Sequence, residues 1–206
     1  MSRLDLVVGP NGAGKSTFVE FVLAAARPGV PFVNADVIAA DRWPEDPLSH
    51  AYDAAQAAAT ARDALIARGE AFIAETVASH ESKVELVRRA RDAGYYVHVV
   101  VVAVPEEYSV ERVRARVAVG GHDVPEEKIR ARWWRLWDHV AAMIELADSA
   151  EVFDNSGSGP VTIATFVAGD IVGAARWPDW TPEALTARWP ARAKRGRHIR
   201  GRAAGT

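Results

Sequence analysis

The chain has 206 residues, 49% of them hydrophobic and 25% charged, with a formal net charge of −2 and no cysteine. That length and composition suit one soluble globular domain with a real core, and the missing cysteine excludes disulfides and thiolate-held metals. No apolar run approaches the ~18 residues of a membrane span, and Met1-Ser2-Arg3-Leu4 leads straight into a strand pattern, so a cytoplasmic protein with no membrane contact is expected.

The first predicted strand is Leu4-Asp5-Leu6-Val7-Val8, and a helix begins near Phe18. Between them stands Gly9-Pro10-Asn11-Gly12-Ala13-Gly14-Lys15-Ser16-Thr17. Two glycines, Gly9 and Gly14, separated by four residues and followed by Lys-Ser, form the phosphate-binding loop pattern. The glycines let the backbone turn with its N–H groups inward, and the helix N-terminus adds further donors for phosphate. Gly9, Asn11, Gly12, Ala13, Gly14, Lys15, Ser16 and Thr17 are therefore the expected ATP-binding residues. Lys15 would reach the β- and γ-phosphates, and the Ser16 hydroxyl would ligate Mg²⁺.

After the break at Arg27-Pro28-Gly29, a short second strand over 30–34 leads to Asp36, and a loop-like stretch with two prolines covers 41–48. Ser49 is the expected cap of an alanine-rich helix that runs to Arg68 and closes at Gly69. The third strand, over 71–74, ends in Glu75-Thr76, and a helix over 81–93 stops at Gly94. The run 95–104 is apolar throughout, as a strand buried on both faces should be. Pro105 opens a helix over 106–119. The connection Gly120-Gly121-His122-Asp123-Val124 precedes a long helix from Pro125 to about Ala147, whose stripe is Ile129, Trp133, Leu136, Val140, Met143 and Ala147. A fifth strand (151–154), a C-terminal hairpin (161–167 with 171–173) and a short helix near 182–189 follow. The alternation predicts an α/β fold of the P-loop NTPase or kinase type: a mostly parallel five-stranded sheet flanked by helices, with a C-terminal β-hairpin. Residues 1–190 form one expected domain. Residues 191–206 hold six basic residues and no acid, which reads as a disordered tail; without interleaved aromatics, nucleic acid is not an expected partner.

Ligands of open parallel sheets collect at the carboxyl ends of the strands. The polar residues there are the loop, Asn34, Asp36, Glu75, Thr76, Asp154 and Asn155. Asp36 is the candidate base for an acceptor hydroxyl, and Glu75 the candidate acid of the metal and substrate side. Arg112 and Arg116 share a helix face and are candidate cations for the phosphoryl group in flight, with Arg130 and Arg132 beyond the glycine pair. The acceptor site is expected in the 40–60 region, with Asp41, Arg42, Trp43, His50, Tyr52 and Gln56.

The loop, Asn34-Ala35-Asp36, Glu75-Thr76, Glu111-Arg112-Val113, Gly120-Gly121-His122-Asp123-Val124-Pro125 and Asp154-Asn155-Ser156 together resemble the zeta toxin family, in its short chromosomal branch. The resemblance runs from the first strand to about Ser156. It implies a P-loop kinase that phosphorylates UDP-N-acetylglucosamine at its sugar 3′-hydroxyl, using ATP and Mg²⁺. By position it makes Asp36 the catalytic base, Glu75 a substrate-side acid, Arg112 a charge-stabilising arginine, and Asn155 a neighbour of the adenine or its ribose. The family's second such arginine falls where this chain has His122, so that role stays open among Arg116, His122, Arg130 and Arg132. An antitoxin protein is the macromolecular partner the resemblance allows. Two further readings stand beside it: a kinase of another hydroxyl acceptor, such as a nucleoside, sugar acid or antibiotic, and a P-loop ATPase switch that works through a partner.

Overall fold

The computed structural model describes residues 1–119 and 124–191. The connection Gly120–Asp123, with His122, and the basic tail from Arg192 onward lie outside the described residues. A single seven-stranded sheet carries the fold, in the order β2-β3-β1-β4-β5-β6-β7. Its strands are β1 (Arg3–Val8), β2 (Phe32–Val33), β3 (Phe72–Thr76), β4 (Tyr96–Ala103), β5 (Ser149–Asp154), β6 (Val161–Val167) and β7 (Asp170–Ile171). The first five pair in parallel, and β6 and β7 add an antiparallel hairpin at one edge. The expected α/β class, parallel five-strand core and C-terminal hairpin are all present. The hairpin is not separate: β6 pairs with β5 over its length, so it extends the main sheet.

Alternation along the strands sends side chains to two buried faces, which is why β4 reads as an unbroken apolar run. Leu4, Leu6, Val8, Val97, Val99 and Val101 enter the larger core. There they meet α4 (Ala51–Arg68), α5 (Ser82–Asp92) and α7 (Glu126–Leu146). The predicted stripe of α7 is buried throughout, from Ile129 to Met143. Val7, Ile73, Val100 and Val102 point the other way, against Phe18, Val19 and Leu23. Those three sit on a helix that starts as α1 (Lys15–Phe18), widens to a π-helical turn (Val19–Leu23) and ends as α2 (Ala24–Ala26).

Boundaries differ from expectation in two places that matter. Asp36 does not end a strand. It lies in the first turn of α3 (Ala35–Arg42), and Asn34 is the cap: its Oδ1 accepts from the Asp36 and Val37 N–H groups at 2.7 and 3.4 Å. Ser49 does not cap α4. His50 holds that position without a side-chain bond, while Gly69 closes the helix in the left-handed region as expected. The remaining helices are α6 (Glu106–Ala118) and α8 (Glu183–Thr186). Among the described residues, no helix is long and apolar enough to cross a membrane.

Candidate active site

From β1 the chain runs to the sheet edge at β2, returns at β3 beside β1, and then departs to the other side at β4. The loop after β1 therefore opens where the winding reverses, at the carboxyl ends of the strands. Gly9 stands there with φ 149°, and a Cβ would lie 2.0 Å from the Val102 carbonyl oxygen. Only glycine fits under that backbone. Gly14, with φ 88°, leads into α1. A Cβ there would lie 2.7 Å from the Asn155 amide nitrogen, so this glycine makes room for a bond beneath the loop.

Strand register brings the acids to the loop. Val7 of β1 pairs with Glu75 of β3, and Val33 of β2 pairs with Ala74, so Asn34 and Glu75 emerge side by side. Glu75 accepts from the Ser16 hydroxyl at 2.9 and 3.1 Å and from the Asn34 amide at 2.8 Å. Asn34 thus does two jobs, orienting Glu75 and capping the helix that carries Asp36.

Lys15 is only 7% exposed, and its Nζ donates to the Pro10 carbonyl at 2.9 Å. Burial pushes its pKa below the ordinary 10.5, against the pull of Glu75 and Asp36 and with a smaller push from Arg116 and Arg132. Both acids and both arginines are thus within electrostatic reach of the ammonium.

A cleft of about 570 Å³ joins these groups. Asn11, Gly12, Gly14, Lys15, Ser16 and Thr17 of the loop line it, together with Asp36, Glu75, Arg112, Arg116 and Arg132. Of the sequence candidates, Gly9, Ala13 and Asn155 are not on its surface; they support the loop from beneath. Asn155 Nδ2 donates to the Ala13 carbonyl at 2.8 Å, and the Asn155 carbonyl accepts from Arg112 at 2.9 Å. Asn155 is therefore placed as a strut between β5 and the loop. Ser109 of α6 adds a second tie, donating to the Asn11 carbonyl.

The open question of the second cation narrows. Arg130 is outside the cleft and bound to Glu106, Glu107 and Glu126 at 2.6–3.1 Å, which raises its already high pKa. Arg116 and Arg132 remain on the cleft wall, and His122 lies outside the described residues.

The 40–60 region reaches the cleft through small residues of α4. The polar residues named there engage one another: His50 stacks on Trp43 at 4.7 Å and bonds Asp53, and Gln56 donates to the Tyr52 hydroxyl. From that region Ala51 and Ala55 line the cleft, and the stretch from Thr76 to His80 with Lys83 lines it as well. Lys83 went unnoticed in the sequence, though a signal existed. It falls four and seven residues before Val87 and Ala90, both buried, so it occupies the inward face of α5.

No three or more His, Cys, Asp or Glu residues gather as a metal site among the described residues. The oxygen donors Ser16 and Glu75 fit Mg²⁺ only in company with phosphate oxygens, as in triphosphate sites where the metal keeps several waters.

A family model described as an AAA domain matches residues 4–136. An uncharacterized protein of Haemophilus influenzae is 29% identical over 126 residues, 61% of this chain and 88% of that one. Among solved structures, a chain of the AvrRxo1-ORF1:-ORF2 complex with ATP superposes with a TM-score of 0.66 at 15% identity, covering 84% of this chain. The match spans only 60% of that chain's length. The PezAT chromosomal toxin–antitoxin system of Streptococcus pneumoniae gives 0.60 at 13% identity, covering 91% of this chain and 84% of that one. Shikimate kinase from Acinetobacter baumannii, bound to shikimate, gives 0.51 at 18% identity, over 77% and 86%. At such identities the likeness establishes a P-loop kinase-like fold.

Proposed function

The chain belongs to the AAA domain family, whose model covers residues 4–136, and on that footing we propose that it is an ATP-dependent kinase that phosphorylates a hydroxyl of a small molecule, with a sugar nucleotide of the UDP-N-acetylglucosamine type as acceptor. One observation carries the reading: Lys15, Ser16, Asp36, Glu75 and a set of arginines converge on a single cleft at the strand ends.

Each residue has a step to perform. The loop N–H groups and the α1 N-terminus hold the phosphates. Lys15, released from the Pro10 carbonyl, turns its ammonium to the β- and γ-phosphate oxygens. Ser16, with Glu75 acting through water, would hold Mg²⁺, which supplies charge neutralisation at the phosphates. Asp36 takes the proton from the acceptor hydroxyl as its oxygen attacks the γ-phosphorus and the bond to ADP breaks. Arg112, together with Arg116 or Arg132, stabilises the charge spread over the moving phosphoryl oxygens. Asn34 keeps Glu75 and the Asp36 helix in register.

The test is ADP release by purified protein with Mg²⁺ and ATP, with and without UDP-N-acetylglucosamine, and with mass spectrometry of the product. Acceptor-dependent ADP and a monophosphorylated sugar nucleotide are expected. Acceptor activity confined to other hydroxyl compounds would move the reading to a different small-molecule kinase. Equal turnover without any acceptor would favour an ATPase switch. The solved AvrRxo1 and PezAT structures are complexes of two proteins, and we extend that to an antitoxin-like partner for this chain, detectable by co-purification from the source cells.

A further inference from the structure

We propose that the stretch of the cleft lined by Lys83 is an oxyanion subsite, where Lys83 holds a phosphate or carboxylate carried by the acceptor and the charge of nearby Arg62 reinforces it. This rests on the kinase reading above and specifies the chemistry of its acceptor.

Lys83 lines the same cleft as Lys15 and Asp36. Among the described residues its ammonium meets only the Ser82 hydroxyl, at 3.3 Å, and no carboxylate. Arg62 lies on the inward face of α4, four residues after Ala58 and three before Leu65, and is 6% exposed. Among the described residues no hydrogen bond or ion pair reaches its guanidinium. The adjacent Asp63 is committed to Arg89 at 2.8 Å. Burial lowers the pKa of both cations, and Arg62 is close enough to lower that of Lys83 further.

This differs from the half-buried cations away from the cleft. Arg3 and Arg27 share the fully buried Asp5, and Arg130 binds three glutamates. A buried Arg62 whose only nearby carboxylate, Asp63, is shared with Arg89, beside a half-buried Lys83 with none, is costly, and an anion supplied by a ligand offsets that cost. The backbone leading there is held in an unusual shape. Ala78 is buried with φ 64°, a left-handed conformation that a non-glycine residue adopts only under constraint. Two residues on, His80 Nδ1 accepts from the Ser82 N–H at 3.1 Å. His80 also lines the cleft.

The phosphate loop, Lys83 and Asp36 thus share one cleft, with Asp36 there to meet the hydroxyl. A neutral acceptor leaves Lys83 and Arg62 uncompensated, so neutral sugars and nucleosides are selected against. Sugar nucleotides, sugar phosphates and hydroxy acids remain.

The experiment uses the full chain saturated with Mg²⁺ and a non-hydrolysable ATP analogue, so that the phosphate loop is filled. Orthophosphate and malonate are titrated calorimetrically into wild type, Lys83→Gln and Lys83→Arg. The expected result is binding of at least one anion by wild type. Lys83→Gln weakens it at least about tenfold, the scale of one lost charge-assisted bond, and Lys83→Arg restores most of it. The preferred anion identifies the phosphate or carboxylate source. Binding of neither anion by wild type, or equal binding by Lys83→Gln, overturns the subsite. In turnover assays, UDP-N-acetylglucosamine should be used and free N-acetylglucosamine ignored, with Lys83→Gln raising the acceptor KM while kcat and the ATP KM stay close to wild type. Equal use of free N-acetylglucosamine also overturns it. Absence of turnover, with Lys83-dependent anion binding intact, rejects the sugar-nucleotide acceptor but leaves the subsite standing.

Discussion

Lys15 sits in the folded protein at a cost. Its ammonium is buried, bonded to one carbonyl, and its pKa is pushed below 10.5 by burial. Between the folded value and 10.5 the unfolded chain holds a proton that the folded chain has lost, so stability rises with pH through that window. Removing the charge should therefore not harm the nucleotide-free fold. Lys15→Ala is expected to abolish nearly all phosphotransfer while its urea midpoint at pH 8 stays equal to wild type or higher; a large drop in midpoint would show that Lys15 holds the loop together. Asp36 carries the other side of the reaction. Asp36→Asn should lower kcat by more than about 100-fold, the scale of general-base removal, with the ATP KM nearly unchanged. An unaffected kcat would transfer the base role to Glu75. His98 offers a pH test away from the site. Burial lowers its pKa below 6.5, partly offset by Asp5 and Glu151, with Arg3 adding to the lowering. Below pH 6.5 the unfolded chain gains a proton that folded His98 resists, so stability should fall as pH falls through the window beneath 6.5. The slope is at most ~1.4 kcal/mol per pH unit from this group. Denaturant melts from pH 7 to 5 should show it, with a flatter profile in His98→Gln.

At the scale of elements, the phosphate loop is clamped from two sides. Asn155, just past β5, and Ser109 of α6 both bond its carbonyls. Asn155→Ala should raise the ATP KM several-fold and cost about 1 kcal/mol of stability, the usual worth of one hydrogen bond; an unchanged KM would show that the glycines alone set the loop. The elements themselves were largely legible. The α7 stripe, the β4 run and the glycine ends of α4 and α5 follow from periodicity and from left-handed backbone that favours glycine. The failures came where side chains decide between equivalent choices. Asn34 and Asp36 are both good caps, and only the bond from Asp36 N–H to Asn34 Oδ1 shows which one is. Trp43, His50, Tyr52 and Gln56 look like a polar acceptor wall in one dimension. They satisfy one another, and the wall is built by Ala51, Ala55 and the turn after β3.

At the scale of the molecule, the cleft joins the loop after β1, the ends of β2 and β3, and faces of α5, α6 and α7. A ligand that bridges these parts stabilises all of them together. Saturation with ATP and Mg²⁺ at about 100 times Kd should add ~2.7 kcal/mol, a rise of a few degrees in Tm, and the rise should vanish in Lys15→Ala. A thermal-shift titration measures both. The sequence by itself determined the phosphate loop, the α/β alternation and Glu75 at the end of β3, because these rest on local spacing and backbone sterics. Only the tertiary structure decided which cations share the cleft. Arg130, Arg132, Lys83 and Arg62 are alike as letters. What separates them is ion pairing: Arg130 binds three carboxylates, while among the described residues no salt bridge reaches Lys83 or Arg62. That pairing depends on long-range register and helix packing, which no local pattern encodes.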